Sequence, residues 1–469
     1  MEIQEIWAQK LRVLNLNNKF WTRIEFCLYF AIFIAFSIIR FNKINEIQPI
    51  FDLYDSPSYF KFEIFGGVRM PIITFLFSTL QNLTTIVKFQ TILSSIITLF
   101  FLLTIVKSLS TLTSRIIFYT LIMVLFSSPN VLYLDYYIMA ESLNISSILL
   151  VLTTLFLYLK NPFSNFYLLL LILSLIIFSG IKSVNGFVSA FALIIILLKI
   201  FYNYKSRKII STGFLMHANT FISIIFIPLT LFITLNISAT PILNTSAIIN
   251  SRLWENKEWR AYILNNKFPM EARTTFLNFS ENNLGSPPDA AVANLESYKK
   301  WYENGGNRFL IRFMIDNLDY TFIAPFTMFN YSESKNLENT LLFGYSQGIL
   351  NYQNIDSPQA LDLFNLDFFW PKDRIFKYIN LSLFFIIISF TQIVLLIRQN
   401  KNSSHETIFT HLSISFAIIW SYLSWWFGST PNDLPRHQFP VSVIIHILAV
   451  LNLCFLIDNL LKIKREHDQ

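Results

Sequence analysis

The chain has 469 residues, 54% of them hydrophobic and only 14% charged. A water-soluble domain carries about 25% charged residues, so this composition excludes an ordinary soluble protein and implies a polytopic membrane protein. The formal net charge of +7 suggests a nucleic-acid partner only until the charges are placed. They gather at the ends of apolar segments on one side, which is a topology signal rather than a nucleic-acid site.

Residues 1–23 are mixed and polar, with Lys10, Arg12, Lys19 and Arg23, and no small-residue cleavage site follows as in a signal peptide. The first apolar span covers residues 24–39. After a polar loop, further spans fall near 85–107, 114–127, 139–159, 164–181, 185–201 and 213–235, the fourth and fifth joined by the tight Lys160-Asn161-Pro162 turn. From about 237 to 373 the character changes. Trp254, Trp259, Trp301, Pro287-Pro288 and Gly305-Gly306 mark a folded extramembrane insertion, too polar to span and too aromatic to be disordered. Within it, residues 308–325 place apolar side chains at helical spacing, suited to lying on a membrane surface. Three last spans follow near 376–397, 406–427 and 438–459, then a basic tail with Lys462, Lys464 and Arg465. Cys27 and Cys454 both fall inside apolar segments, so no disulfide framework is implied.

The expected fold class is therefore an all-α polytopic membrane protein of about ten transmembrane helices with one large, mixed extracytoplasmic insertion. It divides into an N-terminal transmembrane module (1–235), an extracytoplasmic domain (236–374) and C-terminal transmembrane helices (375–469). Charge tests the orientation. With both termini cytoplasmic, the inner loops hold Lys107, Arg115, Lys160, Lys199, Lys205, Arg207, Lys208, Arg398 and Lys401. The short outer loops hold fewer, chiefly Arg40, Lys43, Lys61, Arg69, Lys182 and Arg436. That bias puts the protein in the inner or plasma membrane with its insertion outside, and Trp425 and Trp426 at the outer interface.

With this orientation the unusual polar residues fall on the outer face. The loop 51–71 carries Asp52, Asp55, Tyr59 and Arg69-Met70-Pro71. Asp135 and Glu141 bracket the start of the fourth span, Lys182 and Asn185 lie between the fifth and sixth, and Arg436-His437 precede the last. Each alone has an ordinary reading. Glu141 suits a helix N-terminus, Lys182 a snorkelling cation, and Arg436 and His437 interfacial anchors. Together, acids and bases on one face beside a large outer domain are the layout of a site for a charged, membrane-borne substrate.

The pattern resembles GT-C-type glycosyltransferases, in the bacterial group related to protein O-mannosyltransferases and the aminoarabinose transferases of lipid A. Asp55-Ser56-Pro57-Ser58-Tyr59 and Arg69-x-Pro71 match the first outer loop of that group, Glu141-Ser142-Leu143 its fourth span, Lys182 the Lys after its fifth, and Arg436-His437-x-x-Pro440 its last. Ser56 stands where many relatives have a second acid, and the outer domain follows no pattern of the group. The resemblance covers roughly residues 20–235 and 376–460. It implies a hexosyl- or pentosyl-type transferase that moves a sugar from a polyprenyl-phosphate donor to a glycan, lipid or protein acceptor. Asp55 would be the base. Asp52 would bind the acceptor or a divalent cation, magnesium or manganese, and Glu141 would orient the catalytic groups. Arg436 would hold the donor phosphate, with Lys182 as a second cation and His437 orienting beside them. Tyr59, Arg69 and Asn185 would contact substrate. Attack opposite the leaving phosphate inverts the anomeric centre, because no second carboxylate is placed to form a glycosyl-enzyme intermediate. Two rivals stand beside this reading. An O-antigen polymerase or ligase is expected to keep Arg and His in its large loop, and this loop has Arg252, Arg260, Arg273, Arg308 and Arg312 but no His. A multi-pass transporter is expected to bury charges or break helices near mid-membrane, whereas the spans here keep His217 and His411 but no acid–base pair at that depth.

Overall fold

The computed structural model describes residues 23–38, 40–42, 49, 56–62, 69–127, 129–161, 164–182, 184–190, 192–194, 240–254, 256–278, 288–323 and 434–467, with 409, 413, 419, 420, 422, 423 and 426 between them. Among these residues every regular element is helical. Three helices are long and apolar enough to cross a membrane: α1 (Arg23–Asn42), α3 (Leu83–Val106) and α6 (Glu141–Lys160). Shorter apolar helices are α2 (Pro71–Leu80), α4 (Leu112–Ser127), α7 (Asn165–Ser179) and α8 (Val184–Ile194), and α5 (Pro129–Tyr136) is a short buried one. A long helix, Leu434–His467, contains the apolar stretch His446–Leu461.

Local chemistry sets these boundaries. Asn82 caps α3 by accepting from the Thr85 N–H at 3.1 Å, and Ser164 caps α7 through the Tyr167 N–H at 3.4 Å. Pro71 occupies the first helical position of α2, where its missing N–H costs nothing. The helix α6 is the centre of the bundle, packed between α3 and α7 and touched by the C-terminal helix. It is buried on nearly every side. Several of its hydroxyls are satisfied inside the protein: Thr153 Oγ1 donates to the Leu149 carbonyl at 2.7 Å, and Thr154 Oγ1 meets Ser174 Oγ of α7 at 2.8 Å.

Polar contacts sort the described helices into two ends. At one, Arg115 pairs with Glu25 at 3.0 Å, and Lys160 Nζ donates to Ser108 Oγ at 3.4 Å. There Asp458 also accepts from the Ser110 and Thr111 N–H groups and the Ser110 and Ser114 hydroxyls, at 2.7–3.1 Å. These bonds join the start of α1, the α3–α4 turn, the end of α6 and the C-terminal helix. All are segments read above as cytoplasmic. At the other end, α2 meets the turn after α7. A Cβ on Gly180 would overlap the Ile72 side chain, so only glycine permits this approach. Two described residues between 409 and 426 touch opposite ends of the bundle. Phe409 packs edge-on against Phe156 (5.1 Å), near the Lys160 end, and Trp420 against Phe178 (5.3 Å), near the Gly180 end.

The insertion, expected to be mixed, is helical throughout its described part: α9 (Thr240–Ile248), a π-helical turn (Ile249–Leu253), α10 (Lys257–Asn265), α11 (Met270–Leu277), α12 (Pro288–Ala293), α13 (Glu296–Glu303) and α14 (Phe309–Asp316). Its aromatic residues recur at three- and four-residue spacing, as in Tyr298/Trp301/Tyr302 and Phe309/Phe313, and so line one face of each helix. They form a second core, in which Trp259 meets Phe313 and Tyr320 edge-on at 5.8 and 5.2 Å. Tyr262 ties α10 to α14 by donating to Asp316 Oδ2 at 2.6 Å. Partial burial, with that bond, pushes its phenol up to about 12, so it remains a donor at neutral pH. Residues 324–374 of the insertion lie outside the described residues. With the Leu434–His467 helix numbered α15, the elements that matter below are in place.

Candidate functional site

The Gly180 end collects most of the polar residues singled out in the sequence. The first outer loop enters it through a 3-10 turn, Ser56–Phe60. Tyr59 is buried against Phe77 of α2 (5.7 Å). The Arg69 guanidinium lies 4.7 Å over the Tyr59 ring, and its Nε donates to Ser58 Oγ at 2.8 Å. A cation–π contact of this kind contributes about 0.5–2 kcal/mol. Tyr59 and Arg69 thus pin the loop onto the start of α2. Asp52 and Asp55 lie outside the described residues, and Asp55 immediately precedes the pinned turn.

The first turn of α6 is the hub. Glu141 is 2% exposed and takes an ion pair at 2.7 Å from Lys182, itself 13% exposed, in the turn after α7. The N-terminal end of the α6 dipole favours that carboxylate as well. Three residues on, Asn144 Oδ1 accepts from Asn185 Nδ2 at 2.7 Å, and the same amide donates to the Phe178 carbonyl at 2.9 Å. Asn185 is fully buried, and these two bonds brace α6, α7 and α8 together.

Between these, Ser142 Oγ donates to Asp135 Oδ1 at 2.6 Å. Asp135 is ion-paired with Arg40 of α1, and both are almost wholly buried. Arg40 also donates to Ser94 Oγ of α3 at 3.2 Å. Gln90, one turn earlier on α3, donates to the main-chain carbonyls of Asp135 and Tyr137 at 2.8 and 3.0 Å. Counted from Leu83, Gln90 and Ser94 lie roughly 10 and 16 Å along α3 at 1.5 Å per residue, whereas Arg40 is near the end of α1 and Ser142 is in the first turn of α6, so this pair is buried beneath the Gly180 end of the bundle. Sequence reading gave Arg40 only a topological role and passed over Gln90. The signal available was Asp135 itself, an acid flanked by apolar residues in VLYLDYYIM, which needs a cation.

Arg436 and His437 belong to the first turn of α15, and their side chains lie outside the described residues. Arg436 precedes Asp458 by 22 positions, roughly 33 Å of helix. Its backbone therefore reaches the end opposite Asp458, which is the end of Lys182.

The two described acids at this end both face cations, and no group of three His, Cys, Asp or Glu side chains gathers among the described residues. They do not fit a divalent cation, and the expectation for Asp52 falls outside them. An arriving phosphate would have to share Lys182 with Glu141, and Glu141, buried and paired, is poorly placed to take a proton. Compared with protein-family models, with curated proteins and with solved structures, the chain matches none.

Proposed function

We propose that the chain is a GT-C-type glycosyltransferase of ten spans in the inner or plasma membrane. Both termini are cytoplasmic, and the site works at the extracytoplasmic face on a polyprenyl-phosphate sugar. One observation carries this reading: the first turn of α6, the Gly180–Asn185 turn and the pinned Tyr59–Arg69 loop meet at one end of the bundle. The helix carrying Arg436 reaches the same end. Pinning the loop matters because a reacting group must be held close to its productive geometry. Asp55 then takes the proton of the acceptor hydroxyl. The acceptor oxygen bonds to the anomeric carbon as the bond to the phosphate oxygen breaks, and that electron pair leaves on the lipid phosphate. Arg436, with Lys182 behind it, holds the added charge. The products are the glycosylated acceptor, with inverted configuration, and the free polyprenyl phosphate.

A second reading is favoured by a separate observation. The buried Arg40–Asp135 pair, bonded to the middle of α3, is the kind of acid–base pair that a transporter keeps at membrane depth. The polymerase or ligase reading gains no such support. Arg252 and Arg273 are buried under the aromatic core of the insertion, and Arg260 donates to the Trp254 carbonyl at 2.7 Å. One experiment separates the readings: purified protein in proteoliposomes, offered a panel of radiolabelled polyprenyl-phosphate sugars with lipid, glycan and peptide acceptors. Covalent transfer of label supports the transferase. Movement of an intact sugar or lipid-linked sugar across the bilayer without transfer supports the transporter.

A further inference from the structure

The helix α14 buries Phe309, Leu310 and Phe313 in the aromatic core of the insertion. Its other face is apolar as well. Ile311 and Ile315, one turn apart on α14, and Leu318 and Phe322, beyond the break at Asn317 and at the π-helical turn Asp319–Ile323, form an apolar stripe and are 52%, 67%, 60% and 57% exposed. Exposed Arg308, Arg312 and Asp319 flank them. Single exposed apolar residues are ordinary, whereas four large ones within twelve residues, flanked by charges, mark a surface that something covers.

The height of this stripe on the bundle identifies the cover. Trp420 packs at Phe178, the last turn of α7. Leu423 still packs against the core of the bundle, whereas Tyr422 and Trp426 pack against the core of the insertion, so Trp426 lies where the bundle gives way to the insertion. Its indole Nε1 donates to the Thr321 carbonyl at 3.1 Å. Thr321 belongs to the same π-helical turn as Phe322. The stripe is therefore tied, by a Trp at a bundle end, to the level where hydrocarbon gives way to headgroups, and Trp is the residue enriched at that level.

We propose that α14 and the turn after it lie flat on the bilayer that the bundle crosses. Ile311, Ile315, Leu318 and Phe322 enter the acyl boundary, and Arg308 and Arg312 lie among lipid phosphates. The occupant of this face is the lipid surface itself, and an amphipathic helix of this kind buries its apolar side about 5–10 Å into the interface. The inference rests on the bundle crossing a membrane and not on any reaction.

Site-directed fluorescence tests it. With exposed Cys27 changed to Ser and Cys454 left buried, single cysteines at Ile315, Phe322, Ile96 and Lys300 carry an environment-sensitive dye in vesicles containing doxyl-labelled phosphatidylcholine. Ile96, 60% exposed on the spanning helix α3, is the lipid-facing reference. Lys300, exposed and paired with Glu296, is the aqueous one. Positions 315 and 322 should be quenched at least about twofold relative to 300, approaching 96. Quenching at 96 with none at 315 and 322 overturns the proposal. So does a disulfide between two copies formed at 315, which would make a second copy of the chain the cover. Ile315→Glu with Leu318→Glu should abolish quenching at 322 while leaving the thermal midpoint within a few degrees. Quenching that survives this pair of changes would mean that Trp426 alone holds the segment down, and also overturns the proposal.

Discussion

Lys182 is the residue at which chemistry and stability are most entangled, and one pair of variants separates them. Lys182→Met removes the cation facing Glu141, whose carboxylate is 2% exposed. Leaving one member of a buried pair uncompensated costs about 3–5 kcal/mol. The single variant should therefore accumulate poorly and unfold at a markedly lower temperature, whether or not Lys182 ever touches a phosphate. Glu141→Gln with Lys182→Met removes both charges at nearly constant shape, a change that is often neutral or stabilising. The double variant should recover the parent's abundance and thermal midpoint in detergent. Sugar transfer is then measured against donor concentration at saturating acceptor. If Lys182 holds the donor phosphate, the double variant needs at least about tenfold more donor, since a hydrogen bond to a charged group contributes about 1.5–3 kcal/mol. If it folds like the parent and keeps the parent's donor dependence, Lys182 is only the counterion of Glu141. A double variant as unstable as the single one would refute the buried-pair reasoning itself.

Asp55→Asn keeps the shape and removes the carboxylate proposed as the base. Turnover should fall at least about 10²-fold at normal abundance, with Asp52→Asn costing less, and the reverse order in the same assay would move the base to Asp52. Arg436→Lys keeps the charge but not the planar fork, so donor use should weaken about tenfold while acceptor saturation stays unchanged; a fall in abundance alone, read by immunoblot, would make Arg436 an anchor. Asp458→Asn weakens the bonds that fasten α15 to the α3–α4 turn and should lower stability in detergent by about 1–3 kcal/mol without altering donor dependence. Single cysteines at Asn282 and Ser429 should react with an impermeant thiol reagent on intact cells, and one at Ser206 should not; the opposite pattern would put the site in the wrong compartment.

The sequence carries the spanning helices plainly because each is a long apolar run with a local punctuation mark. Ser164 before α7 and the Lys160-Asn161-Pro162 turn after α6 are readable from neighbouring residues alone, and the expected spans near 85–107 and 139–159 differ from α3 and α6 by at most two residues at either end. What hides from such reading is contact across the chain. Asp458 serves α4 from 347 positions away, and Arg40 finds Asp135 from 95 away. No periodicity reports such partners, because they follow from which helices pack together. The short helices α2 and α5 were missed for a different reason: ten and eight residues are too few for a span and carry too little period. The helical character of the insertion was legible in the spacing of its aromatics, but its polar composition suggested a mixed domain.

The site divides by depth, and that division bears on what its residues do. Three pairs lie inward and are matched within the protein: Arg40 with Asp135, Lys182 with Glu141, Arg69 with Tyr59. Ser142 joins the first to the second by sitting beside Glu141 while bonding Asp135. A buried pair gives little net stability but is costly to break on one side, so its effect is to fix where helices stand relative to one another. Here it fixes α1, α6 and the turn after α7, while the cation–π pair fixes the loop that carries Asp55. The Glu-Ser-Leu step and the Tyr and Arg of the first loop, which gave the resemblance its force, are on this account mostly frame. On the proposed reading the reacting groups are others, Asp55, which precedes the pinned turn, and Arg436 in the first turn of α15. Conservative changes in the frame should then act on both substrates together through folding, and changes at Asp55 and Arg436 on one step each. A transporter built on the same pairs would show the opposite order, with the Arg40–Asp135 pair governing flux and Asp55 dispensable.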